Sequence, residues 1–155
     1  ILKSLALLPY DFHLTIMGEG NKSKMLKNLA SKLKINNKIT FTGEIQREEV
    51  LNNLNKSDIF ILLSNNESFG LVYLEAMSAK NIVIAKKNDG IDGILQNGQN
   101  AFLINSDIYE LKQCIEKILA LKENQIELIK EQALNTVQNL SSSQAAKNYL
   151  DNINL

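Results

Sequence analysis

The sequence predicts an α/β fold in which a parallel β-sheet is covered by helices on both faces. Short β-rich runs alternate with segments of helical period, the order expected of strand–helix–strand units. Two of these runs, Ile59–Leu63 and Asn81–Ala85, consist almost entirely of apolar residues, which is typical of strands buried on both faces. Glycine-rich or polar loops follow several strands, where α/β proteins turn into the next helix.

The elements follow in a regular order along the chain. Strands are predicted at His13–Met17, Lys38–Thr42, Ile59–Leu63, Asn81–Ala85 and Ala101–Ile104. Helices are predicted at Ile1–Leu8 (ended by Pro9), Asn21–Lys34, Arg47–Lys56, Phe69–Lys80, Ile108–Leu121, Glu123–Asn139 and Ser142–Ile153, with a turn over Asp89–Gly98. We therefore expect one Rossmann-like domain over residues 1–155, ending in C-terminal helices at about 108–153.

Composition narrows the class of protein. The chain has 155 residues, of which 45% are hydrophobic and 22% charged, as in ordinary globular domains. Seventeen basic residues balance seventeen acidic ones, so no global field attracts nucleic acid and we expect no nucleic-acid partner. The single cysteine, Cys114, excludes an internal disulfide. We expect a cytoplasmic location, since the chain has no signal-peptide pattern and no apolar run near the roughly 20 residues that span a bilayer.

Three loops are candidates for a ligand site. In open parallel sheets, ligands bind at the carboxyl ends of the strands. The loops in question are Gly18–Asn21, Gly43–Gln46 and Ser64–Gly70. The third leads from a buried strand into a helix, whose first N–H groups and dipole favour an anion.

Two glutamates frame the start of this helix. Glu67 precedes it, and Glu75 lies two turns inside it among apolar residues, where a carboxylate needs a hydrogen-bond donor or water. Sugar and ribose hydroxyls can donate to such a carboxylate. The alternative interpretation is structural, with Glu67 as a helix cap and Glu75 as a solvated or core-paired residue.

The run from Glu67 to Glu75 resembles the E-x7-E motif, written E-x-F-G-L-x-x-x-E, of the large retaining glycosyltransferase family four (group one), which has the GT-B fold. The similarity extends from about Leu2 to Tyr149 and includes His13–Gly20, Ile39–Gly43 and Ser57–Ser64. It implies that the chain is the C-terminal half of a GT-B enzyme, which binds the nucleotide-sugar donor.

The resemblance implies a role for each matching residue. Glu67 would be catalytic and face the transferred sugar, whereas Glu75 would bind the ribose hydroxyls. The other implied donor-binding residues are Gly18, Gly20, Gly43, Ile45, Ser68, Phe69, Gly70 and Leu71. The family transfers sugars with retention and generally without a metal, and the sequence has no D-x-D motif and no His/Cys cluster. We therefore expect no cofactor and a UDP- or GDP-sugar as the substrate.

The sequence departs from the family pattern in three ways. The first strand of this half, with its Arg and Lys for the diphosphate, is not in the sequence, so that either the chain is cut from a longer protein or the sheet has closed up differently. The N-terminal half, which binds the acceptor glycan or lipid, is also absent, so we expect the isolated chain to be inactive. That half could hold the enzyme at the inner face of a membrane. Lys80-Asn81 replaces the usual Gly-Pro, and Gly93 replaces a Glu.

Two other functions remain open at this stage. Gly18-x-Gly20 after a strand favours a dinucleotide-binding module, although Ser23 stands where the G-x-G-x-x-G fingerprint has its last glycine. An apolar stripe on the last helix favours a non-catalytic interaction domain. Its members are Ala145, Ala146, Tyr149, Leu150 and Ile153. The only histidine, His13, starts a strand and is interpreted as structural.

Overall fold

The computed structural model describes residues 1–64, 71–87 and 93–153, with the backbone alone for 141–153. Within these ranges strands and helices alternate as predicted. The strands are β1 (Leu14–Met17), β2 (Ile39–Gly43), β3 (Ile59–Leu62), β4 (Ile82–Lys86) and β5 (Phe102–Ile104). The helices are α1 (Leu2–Leu5), α2 (Ser23–Lys32), α3 (Arg47–Asn55), α4 (Leu71–Ser78), α5 (Ile108–Leu119) and α6 (Glu123–Ile153).

All strand pairings between these elements are parallel, as the alternation predicts. β1 pairs with β2, and β3 pairs with β4, which pairs in turn with β5. In the described residues β1 and β3 do not pair, so these strands form a two-stranded and a three-stranded sheet. The sequence left open whether the sheet closes up differently around the missing strand, and the described strands show no β1–β3 pairing that would close it.

Strand β4 shows why the fold has helices on both faces. Ile82 and Ile84 lie in one buried cluster with Leu111 and Ile115 of α5, whereas Val83 lies in another, with Tyr73 and Met77 of α4. Successive side chains of a strand point to opposite faces, so each face of β4 is covered by a different helix. Cys114 of α5 is a core residue, and its burial raises the pKa of the thiol to about 11.

The prediction that β3 packs on both faces is confirmed, since Ile59 and Ile61 contact one buried cluster and Phe60 and Leu62 the other, but the strand is less buried than expected. Every residue of β3 is only half-buried, whereas Ile82–Ala85 of β4 are fully buried. β4 has a neighbour on each side, but β3 pairs only with β4 within the described part of the chain. An unpaired edge leaves backbone and side-chain atoms accessible, and an apolar run in the sequence cannot reveal how many neighbours its strand has.

The C-terminal region also differs from the prediction. Two helices were expected, separated by the serines at 141–143, but α6 runs without a break from Glu123 to Ile153. Serine costs little more than most residues inside a helix, so a short serine run does not end one. The predicted apolar stripe at Ala145–Ile153 concerns side chains that lie outside the described part.

Two helices end in a left-handed residue that is not glycine. Lys34 after α2 and Lys80 after α4 have φ angles of 57° and 58°. After Lys80, the N–H of Asn81 donates to the carbonyl of Ala76 at 3.0 Å, and the N–H of Lys80 donates to Met77 at 3.0 Å. This is the Schellman pattern, in which glycine is preferred at the left-handed position.

Candidate functional site

The first two predicted ligand loops meet at the carboxyl edge of the small sheet. The N–H of Gly18, after β1, donates to the carbonyl of Gly43, at the end of β2, with an N···O distance of 2.8 Å. Both glycines have positive φ, 105° and 69°, a region that residues with a side chain rarely adopt. The structure thus brings two of the predicted donor-binding residues together.

The loop after Gly18 turns directly into α2. Gly20 is exposed, its N–H donates to Ser23 Oγ at 3.3 Å, and its carbonyl accepts from the Ser23 N–H at 3.0 Å. Ser23 therefore closes this turn with its side chain. Its position matches the place where a dinucleotide fingerprint has a glycine for close helix packing.

The loop after Gly43 leads into α3. Ile45 is half-buried, and Glu49 reaches back from the first turn of α3 to accept a hydrogen bond from the N–H of Gln46 at 3.3 Å. This interaction is one half of a capping box and fixes the start of the helix. Arg47, the first residue of α3, is thereby placed beside the same edge of the sheet.

Helix α4 presents Glu75 on its outer side. Tyr73, Ala76 and Met77 are fully buried, whereas Leu71 is 64% exposed and the side chain of Glu75 is 24% exposed. The buried face is fixed on β3, where the Tyr73 hydroxyl donates to the carbonyl of Leu62 at 3.1 Å. The helix therefore has a core face and a partly solvent-exposed face, and Glu75 lies on the second.

Glu75 has an ionic partner that the sequence analysis missed. Nη2 of Arg47 donates to Oε1 of Glu75 at 2.7 Å. A carboxylate on an apolar helix was expected to need a donor, and Arg47 supplies one. The available sequence signal was a basic residue that starts the helix after the Gly43 loop, but nothing in the sequence joins positions 28 residues apart.

The ion pair crosses a groove between α3 and α4. The groove has a volume of about 410 Å³, and its wall includes Leu51, Leu71 and Leu74 as well as the two charged residues. One end of it therefore combines apolar surface with a carboxylate. This combination suits a ligand that has both an apolar ring and hydroxyl groups.

A second cleft, of about 480 Å³, lies at the opposite edge, where β1 and β2 begin. Lys38 donates there to Asp11 at 2.7 Å, and this bond and charge lower the pKa of the Asp11 carboxyl. His13 is exposed, precedes β1 and is bonded to Thr40 Oγ1 at 2.9 Å. Since ligands of parallel sheets bind at carboxyl ends, this cleft does not belong to the predicted site.

Four predicted site residues lie outside the described residues. These are Glu67, Ser68, Phe69 and Gly70. The catalytic role of Glu67 and the donor-binding roles of the other three remain predictions from the sequence. The described members of the predicted set are Gly18, Gly20, Gly43, Ile45, Leu71 and Glu75.

Two kinds of feature are absent from the described residues. They contain no group of three or more His, Cys, Asp or Glu side chains that could hold a metal ion. None of their helices combines the length and the hydropathy needed to cross a membrane.

Similarity to curated proteins is extensive. The chain is 34% identical over 93 residues to N-acetyl-alpha-D-glucosaminyl L-malate synthase of Bacillus anthracis, covering 60% of this chain and 24% of that protein. It is 30% identical over 124 residues to a sulfoquinovosyl transferase of Arabidopsis thaliana, covering 78% of this chain and 23% of the relative. The chain thus spans about a quarter of the length of these relatives.

The fold is shared with solved structures of glycosyltransferases. The structure of Anabaena HepE in complex with UDP-glucose superposes with a TM-score of 0.83 at 22% identity, covering 97% of this chain and 44% of HepE. At this identity the likeness establishes the fold, an α/β arrangement of parallel sheets flanked by helices. The model of the family described as "Glycosyl transferases group 1" matches residues 1–135, and the chain therefore belongs to that family of glycosyltransferases.

Proposed function

We propose that this chain is the donor-binding, C-terminal half of a GT-B glycosyltransferase and that it binds a nucleotide diphosphate sugar. Family membership supports sugar transfer, and the position of the Gly18 and Gly43 loops after β1 and β2 is consistent with a ligand site at the carboxyl edge of the small sheet. Gly18 and Gly43 are joined by a hydrogen bond at this edge, and Glu75 pairs with Arg47, which starts the helix after the Gly43 loop. HepE, which has the same fold, holds UDP-glucose, so UDP is the first nucleotide to test.

One observation carries the proposal. The Glu75 carboxylate lies on the accessible face of α4 beside the apolar Leu71, and its Oε1 atom accepts a hydrogen bond from Arg47. None of the described residues donates a hydrogen bond to Oε2. A carboxylate oxygen accepts hydrogen bonds, and the vicinal hydroxyls of a ribose can donate them. We assign this oxygen to the ribose of the donor.

We further propose that transfer occurs with retention and that Glu67 faces the reacting carbon. The E-x7-E spacing of the sequence supports this role. The N–H groups at the start of the helix, near Gly70 and Leu71, would stabilise the negative charge of the diphosphate leaving group. In this scheme no metal ion is needed at the leaving group.

The remaining partners follow from the length of the relatives. Because the chain spans about a quarter of them, we propose that an N-terminal half supplies the acceptor site for a glycan or lipid. The 155 residues alone would bind the donor and would not complete transfer, since the second substrate is not positioned. We propose that the enzyme acts in the cytoplasm, attached through that half to the inner face of a membrane.

Isothermal titration of the chain with UDP, GDP, UDP-sugars and NAD tests the proposal. We expect UDP or GDP to bind, and Glu75→Ala to weaken that binding by about 1–3 kcal/mol, or roughly 5- to 150-fold, through lost charge-assisted hydrogen bonds. Glu116→Ala is the matched control. Its side chain is 30% exposed and pairs with Lys112 at 2.6 Å, but it lies on α5.

The outcomes separate the alternatives. Unchanged nucleotide affinity in Glu75→Ala removes Glu75 from the donor site. Binding of NAD alone favours the dinucleotide module that Gly18-x-Gly20 suggested. If no nucleotide produces heat, the chain has no donor site of its own.

A further inference from the structure

We propose that Arg47 is a positioning residue that holds the Glu75 carboxylate in the orientation that receives the ribose of the donor. This inference rests on the donor-site function proposed above. It adds a residue outside the E-x7-E motif, on a different helix and 28 positions away from Glu75.

The core holds the backbone of Glu75, whereas its side chain lies in the groove and is 24% exposed. Tyr73 and Met77 anchor α4 in the core, whereas Glu75 points away from it. A glutamate on a helix surface has three rotatable side-chain bonds, and ordering them costs conformational entropy. The 2.7 Å bond to Arg47 selects one rotamer before the ligand arrives.

The geometry of the pair leaves the carboxylate available. Arg47 bonds to Oε1, and Oε2 has no hydrogen-bond partner among the described residues. An end-on contact to one oxygen therefore orients the group without occupying both acceptors. A bidentate Arg–carboxylate pair would instead leave fewer lone pairs for hydroxyl donors.

Stability alone does not account for this pair. The Arg47 side chain is 80% exposed, and ion pairs with one such exposed partner contribute little to folding. The leucines of the groove wall (Leu51, Leu71 and Leu74) shield the Glu75 end more than the Arg47 end. The arrangement suits a pair whose effect appears when a ligand displaces the remaining water from the carboxylate.

The chemistry of the Arg47 guanidinium is also suited to orienting the Glu75 carboxylate. Its N–H donors lie in a rigid plane, so it defines a direction as well as a charge. The start of α3 is fixed by the contact of Glu49 with the N–H of Gln46, which limits the positions that Arg47 can take. Lysine at this position would keep the charge but lose the planar donor geometry.

A double-mutant cycle with two ligands tests the inference. The variants are Arg47→Ala, Arg47→Lys, Glu75→Ala and the double alanine variant, and the probes are UDP and 2′,3′-dideoxy-UDP, or the GDP pair if GDP is the nucleotide that binds. We expect Arg47→Ala to weaken binding of the ribonucleotide about 3- to 10-fold, the loss that one oriented hydrogen bond gives. The dideoxy nucleotide should lose nothing, and the double variant should bind like Glu75→Ala.

Controls separate positioning from folding. Lys112→Ala removes the cation of the Lys112–Glu116 pair, which has a similar distance of 2.6 Å but lies on α5, and it should leave both affinities unchanged. Arg47→Lys should restore only part of the loss. A folding defect would weaken both ligands equally and would also appear in thermal unfolding.

Each contrary result has one meaning. Equal losses for the two ligands, or losses that add in the double variant, would show that Arg47 does not act through Glu75. Tighter binding in Arg47→Ala would show that the ion pair competes with the ribose. If Glu75→Ala itself leaves ribonucleotide affinity unchanged, or if no nucleotide binds, the donor-site assignment fails and this inference fails with it.

Discussion

The hydroxyl of Tyr73 donates a hydrogen bond to the main-chain carbonyl of Leu62 at 3.1 Å and thereby joins α4 to the end of β3. Tyr73 is completely buried, and its ring meets that of Phe60 edge-to-face, at a centroid distance of 5.9 Å and an angle of 87°. Within two turns, α4 thus carries both Tyr73, which fixes the helix in the core, and the candidate ligand residue Glu75. The position of Glu75 depends on how firmly Tyr73 is held.

Tyr73→Phe should lower the free energy of unfolding by about 1 kcal/mol, because it removes a buried hydrogen bond but keeps the ring. Urea unfolding of the chain measures this change. Tyr109→Phe is the control, since Tyr109 is 66% exposed, and we expect a change within about 0.5 kcal/mol. If Tyr73→Phe is as stable as the original chain, the bond to Leu62 contributes no net stability.

Lys80→Gly should raise the free energy of unfolding by about 0.5–1 kcal/mol, because a left-handed φ of 58° is strained for lysine and free for glycine. Lys34→Gly, at a φ of 57°, should give a similar gain. Lys32→Gly is the contrasting control, since Lys32 is the last helical residue of α2, where glycine relieves no left-handed strain and should lower the free energy of unfolding. Urea denaturation curves of the three variants measure these changes in the free energy of unfolding. A loss of stability in Lys80→Gly would contradict the strain argument.

Asp107 caps α5 and should give the stability of the chain a defined pH dependence. Its carboxylate accepts hydrogen bonds from the N–H groups of Glu110 and Tyr109 at 2.9 and 2.8 Å, and the bond from Glu110 is the main cause that lowers the pKa of Asp107 below its ordinary 3.8. A lowered folded-state pKa means that the stabilisation is present above 3.8 and is lost as the pH falls through the folded-state value.

Asp107→Ala should therefore lower the urea midpoint at pH 7, and the difference from the original chain should shrink at about pH 2.5. Asp107→Asn keeps an oxygen acceptor and should recover most of the midpoint at pH 7. If the urea midpoints of Asp107→Ala and the original chain differ by the same amount at both pH values, the charge of Asp107 is not the source of the cap's contribution.

Local pattern predicted most of the fold. The alternation of strands and helices is confirmed, because the hydrophobic periodicity of a strand or a helix is visible within a short stretch of sequence. The sequence-based prediction failed where a structural feature depended on neighbouring elements of the fold. The apolar run of β3 could not show that one of its edges is unpaired, and the serines at 141–143 could not show that α6 continues through them.

In the candidate site, too, local features were predicted and contacts between distant elements were not. Gly43 and Glu75 were predicted from loop position and from the resemblance to the E-x7-E motif; Gly43 ends β2, and Glu75 lies on α4 with its side chain 24% exposed. Arg47 was not predicted, since its partner is 28 residues away and no periodicity spans that distance. The sequence shows that Lys80-Asn81 replaces the usual Gly-Pro. Only the structure shows the consequence, which is a left-handed φ angle at Lys80 and a hydrogen bond from the N–H of Asn81.

The sequence by itself determined the order of the elements, the loops that can face a ligand and the family to which the chain is related. These properties are local, since they depend on side-chain period, on glycine at positive φ and on a motif of nine residues. Only the tertiary structure decided that β1 and β3 remain apart, that Glu75 is partly exposed and that Arg47 holds its carboxylate. Those features depend on how separate helices and strands are placed in space, and packing of the whole core sets that placement.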